Sequence, residues 1–127
     1  MTFSGLRERR AARFGPFALT PYVVSHPSGS AAFALRLKTG DRLIGYSGDT
    51  EWTDVLLDVA HDADLFITEC YAFDGSPLHH INYAVLSRRL QDMRAKRVLL
   101  THMGQEMLDR LSQVPLEAAE DGQLIEL

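Results

Sequence analysis

The sequence predicts an α/β fold: a mixed β-sheet with flanking helices. Three observations carry this. An alternating apolar hairpin fills the first third, an amphipathic helix follows it, and short β-rich runs then alternate with helical periodicity to the end.

In chain order, Phe17 to Ser25 reads as a strand. Phe33, Leu35 and Leu37 alternate with Ala34, Arg36 and Lys38 in the period-two pattern of a half-buried strand. Thr39-Gly40-Asp41 supplies turn chemistry, so Arg42 to Ser47 returns antiparallel. Trp52, Val55, Leu56, Val59 and Ala60 then fall on one helical stripe, with Thr50 or Asp49 available as its cap. Asp64 to Cys70 is an apolar run of strand length, followed by a loop through Gly75 and Pro77. A second helix starts at about Asn82, with Tyr83, Leu86, Leu90 and Met93 on one face. Arg97 to Thr101 reads as a buried strand and Met103, Met107, Leu108 and Leu111 as a third helix. Asp121-Gly122 is a tight turn into a last strand, Gln123 to Leu127.

The chain has 127 residues and a net charge of −4, which suits one domain, 1–127. With 46% hydrophobic and 24% charged residues it can bury a core, which excludes wholesale disorder. No apolar run approaches the roughly 20 residues of a membrane-spanning helix, and residues 1–13 carry no apolar signal core, so a cytoplasmic protein is expected. Cys70 is the single cysteine, which excludes an intrachain disulfide and a cysteine zinc cluster. Arg7, Arg9, Arg10 and Arg13 crowd the start, on an expected helix. They read as a solvated face or as an attraction for a phosphate-bearing substrate.

Three residues with metal-ligand side chains stand at equivalent places: His26 beyond the first strand, Asp49 beyond the third, and His102 at the end of Val98-Leu99-Leu100-Thr101. Strand ends in α/β proteins border the crevice where ligands bind, and two imidazoles with a carboxylate suit a divalent metal such as zinc. The same residues also serve as hydrogen-bonded strand ends and, for Gly48-Asp49-Thr50, as a turn and cap; the spacing leaves both readings open. His79 and His80 precede the second helix, where either is a candidate acid or anion contact, or part of a polar loop. Glu69 is a candidate for orienting a histidine through its second nitrogen, or an exposed strand-end acid. Cys70 has no base beside it and reads as a buried structural thiol.

Tyr46-Ser47-Gly48-Asp49-Thr50 resembles the strand-turn of metallo-β-lactamase-fold hydrolases, especially the ribonuclease Z and phosphodiesterase branch. Leu99 to Gly104 resembles that branch's last metal motif, Ser25-His26-Pro27 its middle histidine motif, and His80-Ile81-Asn82 the histidine motif that opens the following helix. The four agree in order and spacing over His26 to Gly104.

The resemblance implies that His26 ligates one metal, His102 another, and Asp49 bridges them. Zinc is the expected metal, with manganese or iron as alternatives. His80 is implied as proton donor or leaving-oxygen contact, although His79 is adjacent and the register leaves a shift of one open. The family's His-x-His-x-Asp-His motif is absent, His26 being the first histidine. Since the family fold is an αββα sandwich of two similar halves, the chain looks like the C-terminal half, with one sheet face left apolar and uncovered. The expected function is metal-dependent hydrolysis of a phosphodiester or ester-type bond, needing the N-terminal half for full activity. The alternative is a non-catalytic module acting by self-association or partner binding through that face. A small-molecule or phosphodiester substrate is expected, and the −4 balance gives no footprint for nucleic acid.

Overall fold

Two kinds of connection divide the chain. In the computed structural model, which describes residues 5–127, short turns and one loop, residues 25–31, join the first four strands, and longer crossovers join the rest. The elements are β1 (Ala12–Phe14), β2 (Phe17–Val24), β3 (Ala32–Thr39), β4 (Arg42–Tyr46), α1 (Val55–Ala60), β5 (Leu65–Glu69), α2 (Tyr83–Met93), β6 (Val98–Thr101), α3 (Gln105–Asp109), a 3₁₀ turn (Leu111–Gln113) and β7 (Glu117–Ala118). They form one seven-stranded sheet in which spatial order equals chain order. β1 to β4 are antiparallel; β4 to β7 are parallel. Short turns permit only the first arrangement, and crossovers with a helix permit the second.

The β3–β4 turn is two residues long, because Thr39 pairs with Arg42. Gly40 has φ +58°, the left-handed value that the first central position of such a hairpin turn demands.

Because β4 to β7 are added in one direction, right-handed crossovers put every helix on the same face. The core confirms it. Leu56, Val59 and Ala60 of α1, Leu86 and Met93 of α2, and Met107 of α3 pack with Ala34, Phe66 and Leu100 of the sheet. α1 lies directly against β4: a Cβ at Gly45 would sit 2.7 Å from the Val59 carbonyl oxygen. Arg36 anchors the end of α1 by donating to the carbonyls of Asp58, Val59 and His61, where the helix dipole favours a cation.

Among the described residues the opposite face carries no helix. Its rows run Leu19-Leu37-Ile44-Leu65 and Pro21-Leu35-Tyr46-Ile67-Leu99 across the strands. Phe14, Phe17, Val23 and Tyr46 on this face are 49%, 42%, 39% and 40% exposed, while Leu65, Leu99 and Pro21 are buried. Phe14, Phe17, Val23 and Tyr46 thus leave apolar surface open to solvent on this face.

Several expectations are corrected. The arginine-rich start is not a helix: Arg13 lies in β1, and Arg9 caps the ring of Tyr22 and pairs with Asp58 at 3.0 Å. Helix α1 is only six residues long and excludes Trp52, and the residue at its capping position is Asp54, which makes no side-chain cap bond, rather than Thr50 or Asp49. Met103 precedes α3, which breaks into the 3₁₀ turn before Leu111. Asp121-Gly122 does turn, with Gly122 at φ +79°, but Gln123 to Leu127 is not a strand; the last strand is Glu117–Ala118. Helix α2 starts as expected, with the Asn82 side chain accepting from the Val85 N–H at 2.7 Å.

Candidate metal-dependent active site

β2, β4, β5 and β6 all run the same way, so the residues that follow them gather on one edge of the sheet. His26 follows β2, Asp49 follows β4, Tyr71 follows β5 and His102 follows β6. The loop leading to α2 brings His80 into the middle. Its ring centroid is 5.3 Å from that of His26 and 5.1 Å from that of His102. His102 Nδ1 lies 3.3 Å from Asp49 Oδ1. His26, Asp49, His80 and His102 therefore share one site.

Backbone geometry builds it. Gly48 has φ +61°, and a Cβ there would sit 2.7 Å from the Phe33 carbonyl oxygen, so only glycine lets the chain turn this tightly before Asp49. Thr50 is buried; its hydroxyl accepts from the Ser25 N–H at 3.1 Å and ties the His26 loop to the Asp49 loop. His102 sits at φ +49°, a left-handed conformation that costs a residue with a Cβ about 1–3 kcal/mol.

The most constrained group is Glu69, 1% exposed. Its carboxylate accepts from the Thr50 and Ile81 backbone N–H groups and from His80 Nδ1 at 3.1 Å. Burial raises its pKa, and the Thr50, Ile81 and His80 hydrogen bonds oppose that rise. The rise in the Tyr46 phenol's pKa comes first from burial, then from the Asp49 and Glu69 charges. Glu69 is thus a buried acid that fixes His80, not an exposed strand-end residue.

The hydrogen bonds also set which nitrogen each ring leaves free. A carbonyl or carboxylate can only accept, so His26 Nδ1 donates to the His79 carbonyl at 3.2 Å and His80 Nδ1 donates to Glu69. His102 Nδ1 faces Asp49. All three rings keep Nε2 available. His79, at φ +65°, meets Glu51 Oε1 at 3.1 Å and lies edge-on 6.4 Å from the His26 ring, while His80 stands between His26 and His102. His61 pairs with Asp62 elsewhere. Sequence reasoning missed Tyr71, which stacks on His80 at 4.9 Å; its single signal was its place after Glu69-Cys70.

The donor types fit a divalent metal, since two imidazoles and a carboxylate suit zinc, manganese or iron. The number falls short. Among the described residues no three His, Cys, Asp or Glu are arranged to enclose an ion.

No protein-family model matches the chain. The structure superposes on that of YhfI from Bacillus subtilis, described as a metallo-beta-lactamase fold protein, with a TM-score of 0.79 at 23% identity. The match covers 95% of this chain and 54% of that one. The chain has a metallo-β-lactamase fold. Human tRNase Z, short form, gives a TM-score of 0.69 at 22% identity, over 91% of this chain and 45% of that one. A diphosphatase from the PhnP family gives 0.75 at 17%, over 95% and 47%. In sequence the chain is 32% identical over 92 residues to the B. subtilis (strain 168) protein named Probable metallo-hydrolase YhfI, covering 70% of this chain and 37% of that protein. It is 30% identical over 92 residues to the uncharacterized Mycobacterium leprae (strain TN) protein ML1173, covering 70% and 32%. The chain thus spans about a third of the curated relatives it matches and about half of these metallo-β-lactamase-fold structures. No helix among the described residues is long and apolar enough to cross a membrane.

Proposed function

We propose that this chain forms the C-terminal half of a metal-dependent hydrolase of the metallo-β-lactamase fold, cleaving phosphodiester or ester-type bonds when an N-terminal half completes the sandwich. One observation carries the reading: a histidine held by a buried carboxylate, Glu69–His80, stands beside the Asp49–His102 pair at the edge where four strand ends meet.

His26, Asp49 and His102 would hold a divalent ion, zinc in the first instance and manganese or iron otherwise. When bound, such an ion generates hydroxide near neutral pH and polarises the attacked phosphoryl or carbonyl group. The chain's own contribution to proton movement is His80. Its Nδ1 is tied to Glu69, so when the ring carries a proton on each nitrogen its Nε2 can deliver one to the leaving oxygen without the ring turning. This leaves the neutral imidazole, with its Nδ1 proton still hydrogen-bonded to Glu69. Asp49 orients His102 through the Nδ1 contact.

Three donors are too few for two ions, because a catalytic zinc usually takes about three protein ligands of its own. The uncovered sheet face supplies the place for the remaining donors to arrive. A small-molecule or phosphodiester substrate agrees with the −4 charge, which offers no basic track for nucleic acid. The reading includes a cytoplasmic setting, supported by the buried free thiol of Cys70.

The same apolar face favours a second reading, a non-catalytic module that self-associates or binds a partner. The discriminating experiment measures bound metal and hydrolysis of a phosphodiester, a lactone and a thioester. It uses the purified chain alone and the chain co-expressed with a segment bearing a His-x-His-x-Asp-His motif. The expected result is metal and turnover in the co-expressed form, both lost with Asp49→Ala. Absence of both metal and turnover from the co-expressed form as well as from the chain alone sinks the hydrolase and leaves the binding module.

A further inference from the structure

Tyr71 has no role in the site as described so far, yet it touches both of its loops. Its N–H donates to the Ile81 carbonyl at 2.9 Å, on the loop that carries His80. Its carbonyl accepts from the Gly104 N–H at 2.8 Å, on the loop that carries His102. Its ring lies 4.9 Å from the His80 ring at an interplanar angle of 23°, and 5.8 Å from the His102 ring at 42°.

The ring is held from the other loop as well. A Cβ on Gly104 would come within 3.2 Å of Tyr71 Cε1 and Cζ and within 2.8 Å of its carbonyl oxygen. Gly104 has an ordinary extended backbone, φ −73° and ψ 169°, so glycine is not needed for its conformation. What the glycine provides is room for Tyr71. An aromatic ring 41% open to solvent would ordinarily be free to rotate away; here two backbone hydrogen bonds fix its Cα, the space at Gly104 admits the ring, and stacking lays it against two imidazoles.

From this geometry we infer that Tyr71 is a positioning residue for the site: its ring fixes the planes of His80 and His102, and Gly104 is the residue that lets it do so. The role deepens the hydrolase reading and rests on it for its catalytic consequence. Glu69 fixes one point of the His80 ring through Nδ1, which leaves rotation about that contact open. Stacking against Tyr71 closes that freedom and aims Nε2. A proton donor displaced by about 1 Å loses on the order of a hundredfold in rate, so a ring that sets the aim is felt in kcat rather than in KM.

The test has a spectroscopic arm that needs neither metal nor turnover. In the full chain with labelled histidines, the ring protons of His80 and His102, assigned by His80→Gln and His102→Gln, should be shifted upfield by the Tyr71 ring current. Tyr71→Phe should keep the shift. Tyr71→Leu should leave only the part of the shift that the stacked His80 and His102 rings give each other, and Gly104→Ala should reduce it by pushing the ring aside without altering Tyr71 itself. Circular dichroism identifies any variant that fails to fold, and the remaining variant then decides. Wild-type histidine protons without the shift, or an unchanged shift in folded Tyr71→Leu, overturn the inference. In whichever form hydrolyses substrate, Tyr71→Leu should lower kcat on the order of a hundredfold at unchanged KM, with Tyr71→Phe restoring it; equal loss in both overturns the positioning role. If the ring-current result holds while no form turns over, the hydrolase reading fails and the placement of the rings stands.

Discussion

The sheet's two faces should respond differently to the same mutation. Leu37 and Leu100 occupy strands of one sheet, but Leu37 lies half-buried on the face without helices and Leu100 lies fully buried in the core cluster. Fully burying a leucine is worth about 1.5–3 kcal/mol, so truncating the half-buried Leu37 to alanine should cost about 1 kcal/mol. Leu100→Ala also leaves a cavity and should cost about 2–5 kcal/mol. With a urea slope of about 2 kcal/mol/M for a small domain, the midpoint should fall by roughly 0.5 M for Leu37→Ala and roughly 1–2.5 M for Leu100→Ala.

Leu37→Lys sharpens the comparison. Its aliphatic stem can lie along the sheet with the ammonium group in water, so the isolated chain should stay folded. The same charge would be trapped if a second sheet covered the face, at a cost large enough to abolish association. The assay is urea unfolding across a range of protein concentrations. Association makes the wild-type midpoint rise with concentration, and Leu37→Lys should remove that rise. If Leu37→Ala or Leu37→Lys destabilises the dilute chain as much as Leu100→Ala, the face is already covered within the chain and the one-sided core is wrong.

Two further outcomes follow from buried ionisable groups. Asp64 accepts from Lys96 Nζ and from the Leu43 N–H, both at 2.8 Å, and these two bonds, the Lys96 bond foremost, hold its pKa below the ordinary 3.8. The stability this gives is present above 3.8 and is lost as pH falls through the lower folded value, so Asp64→Asn should flatten the acid limb of a stability–pH profile measured by urea midpoint. Burial pushes the Cys70 thiol up to about 12, with the Glu69 charge adding to it. Native protein should therefore react with a thiol reagent at neutral pH only at the rate at which it opens, and urea-unfolded protein at once; rapid native labelling refutes the assignment.

How far the sequence could be read depended on the range of the forces involved. The β2–β3–β4 meander was legible because alternation and the Thr39-Gly40-Asp41 turn act locally. The Asn82 start of α2 was legible for the same reason, through a side chain three residues from its partner. Thr50 misled because its hydroxyl, a good helix cap in isolation, is taken by Ser25 across the sheet. Gln123 to Leu127 has strand-like residues, but the place beside β6 is taken by Glu117–Ala118 instead. In the site, His26, Asp49 and His102 were found by their places at strand ends, which topology alone makes converge. Glu69 stayed open between a histidine-orienting role and an exposed strand-end acid, and Tyr71 was missed, because their partners, the Thr50 and Ile81 amides and the space at Gly104, are contacts no spacing rule encodes.

The uncovered face and the short donor set are different kinds of deficit, one hydrophobic and one coordinative, and they meet at the same rim. Tyr46 and Glu69 belong to the uncovered face by register and stand beside Asp49 and His80 at its upper edge. A segment that packs on the face therefore also closes the site. This links two measurements that would otherwise be independent. If one added segment remedies both deficits, metal binding and urea midpoint rise together, because ligand bound to the native state adds to its stability. A partner that only covers apolar surface raises the midpoint with no metal bound. The hydrolase and the binding module thus differ in whether Asp49→Ala, a substitution at the rim that leaves the apolar rows intact, removes part of the stability that association confers.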